Sequence, residues 1–219
     1  MKPASHPLLK EREEYLHLLS PEEWILIFLG AHVSQGNLKE VEKDWRHLPE
    51  DLNEAALEVI LQTHLFAGYP RAINALIAVH RVDPNLKIST LADSLPPEQW
   101  QSSGESLCNL IYGENYPALR RRMNRLHPAL DTWMVEMGYG RVLSRPGLSP
   151  LMRELCAVAV LAGQNVEAQL LSHLKGSLHV GASKELLRGV LNCTAELYGP
   201  SEQAYVDAVW KRLTSGAVG

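Results

Sequence analysis

Apolar residues recur along this chain at helical spacing, and no stretch alternates apolar and polar positions with the β-branched enrichment of a strand. Helix starts are marked with particular clarity. Ser20-Pro21-Glu22-Glu23 reads as an N-cap, a proline at the first helical position and two acids in the first turn, ahead of Trp24, Ile25, Leu26, Phe28 and Leu29. The same grammar recurs at Ser149-Pro150, before Leu151, Leu155, Val158 and Leu161. Ser183-Lys184-Glu185 opens a further helix that runs through Leu197 and is closed by Gly199-Pro200. Tyr69-Pro70 reads as a corner between two helices. The pattern predicts an all-α protein.

Between about Asp83 and Ser106 the composition shifts to Pro, Ser, Asp and Gln, including Pro96-Pro97 and Ser102-Ser103-Gly104. A gapless shift of 131 residues lays the first part of the chain on the last, with Glu23 on Glu154, Glu54 on Glu185, Val59 on Val190, Thr63 on Thr194 and Gly68 on Gly199. The expected organisation is therefore a first unit over 1–84, a linker over 85–105 and a second unit over 106–219.

Composition narrows the function classes. With 46% apolar and 21% charged residues in 219, the chain has ordinary globular material for a buried core. A net charge of −4 gives no reason to expect nucleic acid or an anionic membrane as partner. The one basic run, Arg120-Arg121-Arg122 with Arg125, reads as a solvated or subunit-contacting helix face. The N-terminus lacks the apolar core of a signal peptide, and the most apolar run, Trp24 to Val33, is too short to span a bilayer. Cys108, Cys156 and Cys193 are odd in number and widely spaced, which disfavours a disulfide framework or zinc ribbon and fits a cytoplasmic setting. No paired-histidine metal spacing is present, and His179, six residues beyond His173, lies on another helix face, so no metal is expected.

Longer motifs are more specific. The run from Gly113 through Tyr116, then Leu126-His127-Pro128, Gly138-Tyr139-Gly140 and Ser144-Arg145-Pro146-Gly147-Leu148, resembles the N-terminal part of a γ-carboxymuconolactone decarboxylase subunit. The resemblance continues through Arg153-Glu154, Leu161-Ala162-Gly163, His173-Leu174-Lys175-Gly176-Ser177-Leu178 and Gly181. The first half carries the family's closing signature in Leu65-Phe66-Ala67-Gly68-Tyr69-Pro70-Arg71-Ala72-Ile73-Asn74-Ala75-Leu76. The resemblance to the carboxymuconolactone decarboxylase and alkylhydroperoxidase D-like family implies two tandem helical domains forming an intramolecular pseudo-dimer. It further implies a homo-oligomer, a trimer with pseudo-hexameric symmetry, acting without a cofactor on a small carboxylated metabolite.

The alkylhydroperoxidase branch works through the pattern E-x11-C-x2-C-x3-H. Set on Glu154 and His173 its spacing fits, but Val166 and Gln169 occupy the cysteine slots, so dithiol peroxidase chemistry has no nucleophile. In the first half the same slots hold Gln35 and Leu38, with Glu42 at the histidine position. What remains is Glu154 and His173 as the catalytic candidates. Decarboxylation of a carboxylated lactone needs a conjugated carbonyl to take up electrons, donors to hold the resulting oxyanion, and an acid to reprotonate carbon. His173 suits proton transfer near neutral pH and Glu154 could orient it or act as base. Arg145, Arg153 and Lys175 are the candidates for substrate carboxylates. Each has a plainer alternative: Glu154 complementing a helix dipole, His173 packing among Leu170, Leu174 and Leu178, Arg145 tying down its Pro146-Gly147 turn. A non-catalytic helical scaffold or ligand-binding protein is accordingly the competing function.

Overall fold

A computed structural model describes residues 13–88 and 95–215. Among these residues there are helices and no strands. In chain order the α-helices are α1 (Glu13–Leu16), α2 (Pro21–Gln35), α3 (Leu38–His47), α4 (Asn53–Ala67), α5 (Tyr69–Val82), α6 (Pro97–Tyr112), α7 (Tyr116–Leu126), α8 (Pro128–Trp133), α9 (Pro150–Ala162), α10 (Glu167–His179), α11 (Lys184–Tyr198) and α12 (Pro200–Thr214). A π-helix, Met134–Leu143, follows α8.

The helix starts are built as their sequences dictate. Ser20 and Glu23 form a reciprocal capping box, and the hydroxyls of Ser149 and Ser183 accept from the backbone N–H groups of Met152 and Leu186. Helices α2 and α9 are predominantly apolar, and their few inward polar residues (His32 and Ser34, Arg153 and Glu154) are buried with them, which requires protein on every side. They cross at the centre, where every residue from Trp24 to Ser34 and from Met152 to Ala162 is buried. At the crossing Gly30 faces Val59 and Val160, which a Cβ there would meet at ordinary contact distances of 3.4 and 3.5 Å. Around this centre α2 packs on α3 and α4, and α9 on α10 and α11; α5 joins α3 and α4 as α12 joins α10 and α11.

Bounds of the later helices match at a separation of 131 residues, α4 with α11 and α5 with α12 starting in step. Thr63 and Thr194, at that separation, each return a hydroxyl bond to the carbonyl four residues back. Earlier helices match at 129 instead: Pro21 with Pro150, and Leu38 with Glu167. The gapless shift therefore slips by two residues over α2 and α3, and Asp44, not Glu42, stands opposite His173. Asp44 is buried and accepts from or shares a proton with His32 Nδ1 at 2.7 Å.

Of the expected linker, residues 89–94 lie outside the described residues, and 97–105 are helical as the first part of α6. Tertiary contact explains a helix in this Ser- and Gly-containing stretch. Helix α6 and the π-helix cross backbone to backbone at Gly104 and Gly140: a Cβ on Gly104 would lie 2.1 Å from the Val135 carbonyl oxygen, and one on Gly140 1.9 Å from that of Trp100. This crossing nucleates a second small core of Cys108, Ile111, Tyr116, Val135, Tyr139 and Leu143. In the basic run, Arg120 is held by Asp131 through two bonds of 2.6 and 2.9 Å, while Arg121, Arg122 and Arg125 are exposed. Among the described residues no helix is long and apolar enough to cross a membrane.

Candidate functional site

Glu154 and His173 meet. Helix α9 carries Glu154 one turn in from its cap, α10 carries His173 two turns in, and the packing of the two helices brings His173 Nδ1 to 3.0 Å from Glu154 Oε2. Glu154 is 1% and His173 7% exposed. When Glu154 is a carboxylate the bond requires the proton on Nδ1, leaving Nε2 to accept or deliver a second proton. Gly176, one turn beyond His173, makes the fit possible, since a Cβ there would lie 2.7 Å from Glu154 Oε2 and 2.6 Å from Ile111 Cγ2. Phe66, at the end of α4, closes on the imidazole edge-on, with centroids 5.2 Å apart and planes at 88°. A ring from the first half thus completes a site in the second.

Two tyrosines without an assigned role in the sequence reading stand beside this pair. The hydroxyls of Tyr112, on α6, and Tyr139, on the π-helix, are hydrogen-bonded to each other, and Ser172, adjacent to His173, lies beside Tyr112. Burial, reinforced by the Glu154 carboxylate, pushes the Tyr112 phenol up to about 12 against the relief from its bond to Tyr139. Tyr139 is raised well above the usual tyrosine range, first by burial and then by Tyr112 and Glu154. Both therefore remain O–H donors at neutral pH. The motif Gly138-Tyr139-Gly140 carried a signal for Tyr139; the local sequence around Tyr112 carried none.

The arginines go elsewhere. Glu58 on α4 receives Arg145 Nη2 at 2.9 Å on Oε1 and Arg153 Nη2 at 2.9 Å on Oε2. Arg153 is 3% exposed and also donates to Gln62 Oε1 and to the Arg145 and Pro146 carbonyls. Both guanidiniums thus have a structural carboxylate from the first half in place of the substrate carboxylate expected from the sequence. Lys175, two residues past His173 and so about 200° around the helix, is exposed.

Thiol chemistry finds no support in the geometry. Val166 caps α10 and Gln169 is exposed on its first turn. Cys108, Cys156 and Cys193 are buried thiols, and burial pushes Cys108 and Cys156 up to about 12, leaving almost no thiolate at neutral pH. Among the described residues no group of three or more His, Cys, Asp or Glu is placed to hold a metal ion.

Residues 128–210, which include Tyr139, Glu154 and His173, match the model of the Carboxymuconolactone decarboxylase family. Two curated proteins named "Peroxisomal protein 2" are similar to this chain. The one from Schizosaccharomyces pombe is 28% identical, with 69% of this chain and 72% of that protein covered. The one from Saccharomyces cerevisiae is also 28% identical, over 61% of this chain and 56% of that protein, so this chain spans little more than half of it. The C-terminal part of the chain is carboxymuconolactone decarboxylase-like and helical, as its motifs led one to expect.

Proposed function

We propose, taking the family match over 128–210 as premise, that this protein is a cofactor-free carboxy-lyase acting on a carboxylated lactone or a close relative, with Glu154 and His173 as its acid–base pair. The observation that carries the reading is the buried 3.0 Å bond between them. In the proposed step the C–C bond to the departing carboxylate breaks and its electron pair moves through the conjugated system onto the carbonyl oxygen. Carbon dioxide leaves, and His173 Nε2–H returns a proton to carbon, itself resupplied by solvent. Glu154 keeps the imidazole oriented and stabilises its cationic form.

The test is incubation with γ-carboxymuconolactone while carbon dioxide release is followed, alongside hydroperoxide consumption with a dithiol donor. Release is expected, and Glu154→Gln and His173→Asn should each lower it by about 100-fold or more. Unchanged release in both variants removes the pair from the site. A second reading, a non-catalytic scaffold, is favoured by His32 and Asp44, an equally buried histidine–carboxylate pair in the first half; absence of turnover in the wild type would decide for it.

Two copies of one helical unit make up the proposed architecture. The matched helix bounds, the paired packing of α2–α5 and α9–α12, and the equivalent Thr63 and Thr194 bonds support it. Exposed Tyr69, Ile73 and Ile77, spaced along one face of α5, support the proposed trimer; light scattering on the purified chain measures its mass. A cytoplasmic location is the proposal from composition. The peroxisomal names of the two relatives are the reason to check it by imaging a tagged full chain.

A further inference from the structure

Tyr112 and Tyr139 are not used by the acid–base pair, yet their placement is costly. Tyr139 lies in the buried cluster of Cys108, Ile111, Tyr116, Val135 and Leu143, and Tyr112 packs against it, where phenylalanine rings at these two positions would pack without desolvating an O–H group. Their rings meet edge-on, 5.8 Å between centroids. Helix α6 and the π-helix, which carry them, are locked together by the Gly104 and Gly140 crossing. The hydroxyl pair lies beside Ser172 of α10, and Ile111, next to Tyr112, abuts Gly176 beside the Glu154 carboxylate. Two phenols, one imidazole and one carboxylate are therefore assembled from four helical elements at one place.

We infer that the Tyr112–Tyr139 pair is an oxyanion-binding element, and that the substrate is a carbonyl compound whose reacting oxygen becomes an enolate; this rests on the reading of Glu154 and His173 as an acid–base site. In a hydroxyl pair one O–H satisfies the other, so an incoming oxyanion can accept from both once the mutual bond is exchanged for two bonds to it. The phenols donate hydrogen bonds and transfer no proton: the enolate oxygen takes up the electron pair released by the C–C bond, and the proton that restores the carbon comes from His173. A proton on His173 makes its pair with Glu154 neutral overall, which removes the repulsion an anion would otherwise meet there. Donors aimed at a developing charge in a site shielded from water stabilise it more than the neutral ground state.

The probe is 4-nitrophenol, whose anion absorbs in the visible range, titrated against the full chain at a pH below its own ionisation. The wild type is expected to bind the anion at least tenfold more tightly than the neutral phenol and so to raise the visible band. Tyr112→Phe and Tyr139→Phe should each weaken anion binding by roughly tenfold or more, with Cys108→Ala, which trims the same cluster without removing a phenol, leaving the anion preference unchanged. Binding of the neutral form, no binding by the wild type, or undiminished anion selection in both folded Phe variants overturns the inference. The wild-type measurement decides even where a Phe variant fails to fold. Selection of the phenolate without decarboxylation sinks the decarboxylase reading and leaves the oxyanion element. Decarboxylation at full kcat in the double Phe variant does the reverse.

Discussion

The Phe66 ring stands edge-on to the His173 imidazole, 5.2 Å between centroids, so the C-terminal turn of α4 sets the orientation of a histidine more than a hundred positions later. An edge-on aromatic pair is worth about 1 kcal/mol beyond the area it buries. Phe66→Leu is expected to lower unfolding free energy by about 1–2 kcal/mol in urea. Loss of the ring current should move the His173 ring protons in the NMR spectrum. Unmoved His173 signals would show that the ring does not hold the imidazole in solution.

Gly176 makes room for the Glu154 carboxylate. Gly176→Ala places a methyl group 2.7 Å from Glu154 Oε2 and 2.6 Å from Ile111, so α10 must shift away from α9 and α6. The expected cost is about 1–3 kcal/mol, with turnover falling further than stability because the bond to His173 is disturbed. Thermal melting and carbon dioxide release measured on the same preparation check both.

Glu58 balances two guanidiniums at 2.9 Å each. Glu58→Ala leaves the buried Arg153 charge without its carboxylate, for a loss of about 3–5 kcal/mol, whereas Glu58→Ala combined with Arg153→Met should recover much of it. Equal stability of the single and double variants in urea would mean that the charge is not what the site loses.

Alkaline pH should unfold this protein through its buried acids. Burial raises Cys108 and Cys156 from 9.0, and Tyr112 from 10.0, to about 12. A raised folded pKa means that the unfolded chain releases its proton first. The stability held by each thiol is therefore complete below pH 9 and is lost between pH 9 and about 12, with the phenol joining from pH 10. Each group adds a slope of up to about 1.4 kcal/mol per pH unit in that window. Urea midpoints are expected to be flat from this source up to pH 9 and to fall steeply above pH 10; a flat profile to pH 11 refutes the assignment.

The helical class was legible because α2, α9 and α11 declare their starts locally, with Ser20, Ser149 and Ser183 each capping as read. The meeting of Glu154 and His173 was legible through a spacing template. The destination of Arg145 and Arg153 was not, since Glu58 lies about ninety positions away and nothing near the arginines encodes it. The π-helix and the helical form of residues 97–105 arise from the backbone contact at Gly104 and Gly140, a tertiary effect that local propensity opposes. That Asp44 stands opposite His173 was hidden by a two-residue slip that a gapless comparison cannot contain.

The bridge from Glu58 to Arg145 and Arg153 also governs where this chain can be cut. A fragment covering 106–219 keeps both catalytic candidates and the whole of the family match, yet it leaves behind the carboxylate that neutralises Arg153, along with the Phe66 ring. Such a fragment, chosen as the smallest autonomous piece, would carry a stranded positive charge in its interior and an uncovered histidine. Interchange of halves between homologues would succeed where the acid on α4 travels with the arginines it serves.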